Sequence, residues 1–243
     1  MANIYLQVDY KTGNIFQFSK TNQEGYESHI NTKGTESWRK IYKKGLYAKL
    51  EGVSIRDTDF GKEISLYTKV ANGDTAYLNF PLLDQKKNLA SYAESLITVL
   101  PSLKIGESYR FYPYNIKGEN DKYANVGVSV VLANLATESV IEGAEKPKRL
   151  SYTYTKEGVE VKGDIPAVIW EEDFDGSRTM NSKAKNKFLY DILNGYVARI
   201  GAGDSAAQKP APTEAKAPVT KTPAQAFEPA TAKAPVENDD LPF

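Results

Sequence analysis

The stretch Leu46–Ile55, LYAKLEGVSI, decides the fold prediction for this chain. Apolar and polar residues alternate along it, and Gly52 interrupts the alternation. A period of two is typical of a strand with one buried face, and an isolated glycine within it indicates a bulge or a sharp bend. We therefore predict a curved strand. Its inward face comprises Leu46, Ala48, Leu50, Val53 and Ile55.

Four more strands and one helix are predicted downstream of this strand. The turn residues Asn72–Asp74 join the next two strands into a hairpin. Apolar residues then recur at helical spacing between Asp84, a candidate N-cap, and Pro101, which ends the helix. The four strands are predicted at Ile64–Val70, Ala76–Phe80, Glu107–Tyr114 and Tyr123–Leu132.

Three strands, one helix and two strands follow each other in the order of an OB-fold. This fold is a five-stranded Greek-key barrel, and its helix lies between strands three and four. We predict a mainly β protein with this barrel at about 44–132; another small barrel or an α+β sheet is the alternative. The predicted additions are an N-terminal hairpin within 1–20, extra strands around a turn at 162–164, and a C-terminal helix at Ser182–Ile200.

The composition changes at Asp204. Residues 204–243 contain 7 of the 12 prolines and only two aromatic residues. Such a segment cannot bury enough apolar area to offset the entropy lost on ordering. We predict a binding domain at 1–203, a disordered Pro/Ala-rich linker at 204–236 and an acidic-aromatic tip at 237–243.

Several classes of protein are disfavoured by the sequence. It has no long apolar run that would span a membrane, and its first residues lack the basic and apolar regions of a secretory signal. Without cysteine it cannot form disulfides or Cys-ligated metal sites. We expect a cytoplasmic protein that has no membrane partner, metal or cofactor and is not an enzyme.

Aromatic and basic residues are interleaved on the predicted outer faces of the strands. Binding of single-stranded nucleic acid needs cations for the phosphates and flat rings for the bases. Alternation places Tyr47 and Lys49 outward, opposite Leu46, although such patterns also occur on solvated sheets. The predicted DNA-binding residues are Trp38, Arg39, Lys40, Tyr42, Lys43, Lys44, Tyr47, Lys49, Tyr67, Lys69, Tyr77, Arg110, Tyr112 and Tyr114.

The last seven residues, ENDDLPF at 237–243, resemble the terminal peptide of bacterial single-stranded DNA-binding proteins (SSBs). The resemblance implies an OB-fold joined by a disordered linker to a tip that docks on replication, recombination and repair proteins. Phe243 would then insert its ring into an apolar pocket while its carboxylate meets a basic side chain. Asp239 and Asp240 would face a basic rim, and Leu241 and Pro242 would shape the turn.

The sequence therefore predicts sequence-independent binding and protection of single-stranded DNA, with partner recruitment by the tip. A phage-encoded SSB acting in the host cytoplasm is our preferred subtype. The N-terminal extension and residues 133–203 are atypical of bacterial SSBs, so the oligomeric state stays open. Two alternatives remain, a metal-dependent nuclease using Glu171, Glu172 and Asp173, and a protein-interaction adaptor that does not bind DNA.

Overall fold

The structure, a computed structural model, consists mainly of β-strands, which confirms the mainly β prediction. The predicted linker at 204–236 and tip at 237–243 lie outside the described residues, as does Asp173. The described residues are 2–9, 11–30, 34–59, 61–85, 87–119, 122–157, 159–172 and 174–203.

Fourteen strands and two α-helices make up the described part of the chain. The strands are β1 (Asn3–Val8), β2 (Ile15–Ser19), β3 (Glu27–Ile30), β4 (Glu36–Tyr42), β5 (Leu46–Thr58), β6 (Gly61–Lys69), β7 (Thr75–Pro81), β8 (Ser108–Ile116), β9 (Asn125–Asn134), β10 (Ser139–Val140), β11 (Tyr154–Lys156), β12 (Val159–Val161), β13 (Ile169–Glu172) and β14 (Arg178–Asn181). The helices are α1 (Ser91–Val99), which continues into a 3₁₀ turn at Leu100–Ser102, and α2 (Lys183–Gly203).

Ten strands form one open sheet in the order β10-β9-β8-β5-β6-β7-β1-β2-β4-β3. Neighbouring strands are antiparallel except β1 and β7, which pair in parallel. The remaining four strands form two separate hairpins, β11 with β12 and β13 with β14. Of the two described α-helices, neither combines the length and the apolar character that crossing a membrane requires.

The core lies between the inward face of the sheet and the two helices. Leu66 and Leu78 from the sheet, Leu96 from α1 and Leu193 from α2 are all fully buried in one cluster. Complete burial of such a side chain contributes about 1.5–3 kcal/mol. The register of β5 against β6 shifts at Gly52, which confirms the predicted bulge.

The predicted barrel is not closed in this sheet. β1 pairs in parallel with β7 and occupies the strand edge that closure onto β9 would need. The outer edge of β9 is occupied as well: β10 pairs with Ala133 and Asn134, and at Val128 the backbone N donates to Ser95 Oγ at 2.9 Å while the carbonyl oxygen accepts from Arg149. Because both edges have hydrogen-bond partners, the sheet stays open.

The predicted N-cap of the first helix is wrong. α1 begins at Ser91, with Ala90 at the N-cap position. Asp84 instead belongs to a loop, in which its Oδ1 accepts from Asn88 N at 2.9 Å. Aspartate forms this kind of local side-chain contact in turns as readily as at helix ends.

The predicted turn at 162–164 is also wrong. Lys156 at the end of β11 pairs with Val159 at the start of β12. The chain therefore reverses direction before residue 162, where the turn was predicted to begin. Asp164 has a different role, because its carboxylate accepts hydrogen bonds from Ser151 N at 2.8 Å and from Ser151 Oγ at 2.9 Å.

Replacing Gly45 with alanine should destabilise the fold more than the same change at Gly73. Both glycines have positive φ, +81° and +83°, which costs an alanine about 1–2 kcal/mol. A Cβ at Gly45 would also lie 2.6 Å from the carbonyl oxygen of Phe111, whereas a Cβ at Gly73 meets open space. We expect the extra loss for Gly45→Ala to be at least about 1 kcal/mol in urea unfolding. Equal losses would contradict the close packing of this turn against β8.

Candidate nucleic-acid interface

Three tyrosines lie side by side on the outer face of the sheet and form what we call the tyrosine row: Tyr67, Tyr77 and Tyr5. Tyr67 is opposite Tyr77 in the β6–β7 pair, and Tyr77 is level with Tyr5 in the β7–β1 pair. The rings of Tyr5 and Tyr77 are stacked, with centroids 5.1 Å apart and planes 11° apart. Those of Tyr67 and Tyr77 are 5.5 Å apart and tilted by 51°.

The tyrosine row lies at the protein surface. Tyr5 is 54% exposed, and Tyr67 and Tyr77 are half-buried. Gly52 is opposite Tyr67 on β5, so that position has no side chain that could cover the Tyr67 ring. The residues directly before and after each tyrosine point into the core. Because successive side chains on a strand point to opposite faces, the tyrosine rings stay outside the core.

The central phenol of the row, that of Tyr77, lies in a partly desolvated environment. The pKa of Tyr77 is raised above its ordinary value, first by desolvation and then by its neighbours Tyr67 and Tyr5, while Arg56 acts in the opposite direction. The upward shift reflects the partly desolvated position of Tyr77 between its two neighbours.

Two lysines lie opposite each other beside the tyrosine row, and we call them the lysine row: Lys49 on β5 and Lys69 on β6. Residues two positions apart on a strand lie on the same face and are about 7 Å apart. Lys69 is therefore the next residue after Tyr67 on the outer face of β6. Like charges directly opposite each other destabilise a sheet. Lys49 is neutralised in part by Glu51, at 2.9 Å. An anion bound at this row would relieve the remaining repulsion.

A second aromatic cluster centres on Arg110. Its guanidinium carbon lies 4.6 Å from the ring centre of Tyr112 and 5.8 Å from that of Tyr47. Its Nε donates to the carbonyl oxygen of Lys44 at 2.7 Å. Since Tyr47 and Lys49 share one face of β5, this cluster and the tyrosine row flank the lysine row.

The predicted basic-aromatic stretch on β4 is divided between two faces of the sheet. Arg39 lies on one face, with its guanidinium 4.3 Å from the centre of the Phe16 ring. Trp38, Lys40 and Tyr42 lie on the other face by alternation. Lys40 and Tyr42 line a cleft of about 410 Å³ there, and burial raises the pKa of Tyr42.

The remaining predicted residues occupy different surroundings. Lys43 and Lys44 are exposed in the turn between β4 and β5. Tyr114 lines a separate cleft with Arg149 and Tyr152. Arg149 there is structural, because it donates to Ser95 O at 2.7 Å and burial lowers its pKa.

Two aromatic residues of this face were missed by the sequence reasoning. Tyr5 belongs to the tyrosine row, and Phe18, which is 50% exposed, extends it on β2. Phe18 follows Gln17, the partner of Leu6, and so lies on the same face as Tyr5. Alternation of apolar and polar residues within the predicted N-terminal hairpin could have placed both side chains on the outer face. No feature of the sequence, however, indicated that β1 pairs with β7.

The carboxylates of the nuclease alternative do not converge in the described residues. Glu171 and Glu172 are adjacent on β13 and therefore point to opposite faces. Glu171 accepts from Asn181 Nδ2 at 2.6 Å, and Glu172 accepts from Arg178 Nε at 3.3 Å. Within the ranges that the structure describes, no three His, Asp or Glu residues are grouped so as to hold a metal ion.

No protein-family model, curated protein or solved structure gives a significant match to the chain. A functional proposal therefore depends on the geometry of the sheet and on the residues that it presents.

Replacing Tyr5 with alanine should lower the pKa of Tyr77 towards its ordinary value. The change removes a ring that shields the Tyr77 phenol and whose own charge at high pH would oppose its ionisation. NMR titration of ¹³C-labelled tyrosine measures this directly. The matched control is Tyr154→Ala, because Tyr154 is equally exposed at 52% but lies on β11. An unchanged Tyr77 titration in Tyr5→Ala would contradict the stacked geometry.

Proposed function

We propose that this chain binds single-stranded DNA stoichiometrically and with little sequence preference. The observation that carries the proposal is the tyrosine row lying beside the lysine row on one accessible face. Stacking of a base on an aromatic side chain contributes about 1–3 kcal/mol and tolerates any base. Lysines one step away can neutralise phosphates, so affinity should fall as salt concentration rises.

Single strands should be preferred to duplexes because of the way the rings are presented. Tyr5 is stacked on Tyr77 and can receive only a base whose own face is free. The bases of a duplex are already stacked and paired, and exposing one of them costs a few kcal/mol. Phosphate contacts at Lys49 and Lys69 would act on both kinds of DNA. The preference is therefore expected to come from the tyrosines.

The strand connections support an OB-like domain as the binding unit. The strands β9-β8-β5-β6-β7 are neighbours in that order, and α1 lies in the chain between β7 and β8. An OB-fold opened between its third and fifth strands would have this order. OB-folds bind oligonucleotides on strands two and three, which correspond here to β6 and β7, the strands of Tyr67 and Tyr77.

Partner recruitment by the tip is the second part of the proposal. It is supported by the resemblance of residues 237–243 to the SSB terminal peptide and by the composition of the preceding linker. Acidic residues beside a phenylalanine raise the rate of encounter with basic partners. The proposed setting is replication, recombination and repair of DNA, and a phage-encoded SSB is the proposed subtype.

A protein-interaction adaptor remains the second candidate, and one observation favours it. The β13–β14 hairpin exposes Trp170 to 62% and Met180 to 56%, and these two residues are opposite each other. Large exposed apolar groups of this kind are typical of protein contacts. An adaptor would bind neither single-stranded nor duplex DNA at low salt.

Single-stranded DNA should bind the full chain more tightly than duplex DNA of equal length, and Tyr5→Ala should weaken this binding about 10-fold or more. Fluorescence anisotropy of a labelled oligonucleotide at low and moderate salt measures both effects. Tyr154→Ala, the matched control on β11, should bind as the unsubstituted chain does. Equal affinity for the two forms of DNA, or full affinity in Tyr5→Ala, would remove the support for a stacking surface.

Deleting Asp239–Phe243 should leave DNA affinity unchanged or raise it, because the deletion removes acidic residues that compete with phosphates. The same deletion should abolish binding to replication or repair proteins of a bacterial host. Anisotropy reports the first effect, and surface plasmon resonance with purified host proteins reports the second. Loss of DNA binding on deletion would contradict the division of labour between domain and tip.

A further inference from the structure

The tyrosine row continues across the outer face of the sheet to a pair of opposite charges. Phe18, which extends the row on β2, is opposite Arg39 on β4, and Arg39 is opposite Glu27 on β3. Directly opposite residues of neighbouring strands share a face of the sheet. Since each strand adds about 4.8 Å, Arg39 lies roughly 10 Å from Tyr5. A single strand that stacks at the tyrosine row can therefore place a neighbouring base beside Arg39.

Arg39 and Glu27 both line a cleft of about 180 Å³ that is open to solvent. Its other walls include Phe16, His29 and the turn that precedes β2. Glu27 is exposed and Arg39 is half-buried, so the cleft presents one charge of each sign at its surface. The space admits one planar base.

The two charges of this cleft are free to bind a ligand. Among the residues that the structure describes, neither Arg39 nor Glu27 forms an ion pair. Arg39 Nε is buried and has no hydrogen-bond partner there either. Aromatic rings hold the guanidinium instead, with its carbon 4.3 Å from the centre of the Phe16 ring and 5.9 Å from that of Phe18. A guanidinium placed in this way keeps its terminal N–H groups available as a fixed fork.

An occupant of this cleft must offer acceptors to Arg39 and donors to Glu27. Phosphate offers acceptors only, and it would be repelled by Glu27 and by Asp9, which also lines the cleft. Guanine presents two acceptors, O6 and N7, on the edge that arginine commonly binds. Its N1–H and 2-amino groups form two donors on the adjoining edge, which match the two oxygens of a carboxylate. No other base of DNA combines two adjacent acceptors with two adjacent donors.

We propose that this cleft binds one guanine of a single strand, with Arg39 at O6 and N7 and Glu27 at N1–H and the 2-amino group. The inference rests on the proposed function and adds a preferred base at one position of a binding surface that otherwise tolerates any sequence. Arg39 is then a specificity-determining residue, whereas Lys49 and Lys69 neutralise phosphates wherever the strand lies.

Oligo(dT) that carries one central dG, compared with all-dT of equal length, tests the base preference. The full chain should bind the dG oligonucleotide about 5-fold more tightly or better, the lower end of what one bidentate contact contributes. Replacing that guanine with 7-deazaguanine removes N7, and replacing it with hypoxanthine removes the 2-amino group. Each replacement should weaken binding about two-fold or more in fluorescence anisotropy.

Two variants assign these contacts to individual side chains. Arg39→Lys keeps the positive charge and loses the fork, so it should bind all-dT within about two-fold of the unsubstituted chain but no longer distinguish guanine from 7-deazaguanine. Glu27→Ala should no longer distinguish guanine from hypoxanthine, and it leaves the core untouched because Glu27 is exposed on the edge strand. Matched controls are Arg178→Lys on β14 and Glu24→Ala in the turn before β3, and both should behave as the unsubstituted chain does.

The remaining outcomes separate this inference from the proposed function. Equal affinities for the dG and all-dT oligonucleotides would overturn the guanine site and leave the binding function standing. An Arg39→Lys loss of the same size for both would do so too, because it would make Arg39 a backbone contact. Sensitivity to both modified bases that persists in Glu27→Ala and Arg39→Lys would place the guanine elsewhere and overturn the assignment. Failure of both oligonucleotides to bind would overturn the proposed function and this inference with it.

Discussion

The parallel pairing of β1 with β7 is the interaction on which the proposed interface depends. It brings Tyr5 level with Tyr77 although the two residues are far apart in the chain, and so completes the tyrosine row. The same backbone hydrogen bonds occupy the edge of β7 on which a barrel would close. The sheet can then continue through β2 and β4, where Phe18 extends the aromatic surface. One pairing thus sets both the openness of the sheet and the width of the face.

This face combines several features that lower the stability of the free protein. Lys49 and Lys69 place like charges opposite each other, and Ser65 and Asn79 bury polar atoms that have no partner in the described part of the chain. Tyr5 keeps much of its ring in water. Departures from the rules of stable packing are expected at functional sites and are compensated elsewhere. Their concentration on adjacent rows of one face is why we propose that this face binds DNA.

Local patterns predicted much of this arrangement, and long-range pairing accounts for most of what they missed. Strict alternation around Leu66 and Leu78 sufficed to place Tyr67 and Tyr77 outward, and the isolated Gly52 indicated the bulge. No local signal specifies that β1 adds in parallel to β7, so neither the open sheet nor the position of Tyr5 beside Tyr77 could be predicted. The residues of β4 were predicted to form one DNA-binding group because of their basic and aromatic composition. Alternation along the strand, however, places Arg39 on the opposite face from its neighbours.

The central claim is that the tyrosine row contacts the bases of single-stranded DNA. NMR spectra of ¹³C-labelled tyrosine, recorded while a single-stranded oligonucleotide is added, test it most directly. We expect the ring signals of Tyr5, Tyr67 and Tyr77 to move together, with the upfield shifts that stacking produces, while those of the buried Tyr92 and Tyr109 stay in place. Binding that shifts other tyrosines and leaves these three unchanged would contradict the account.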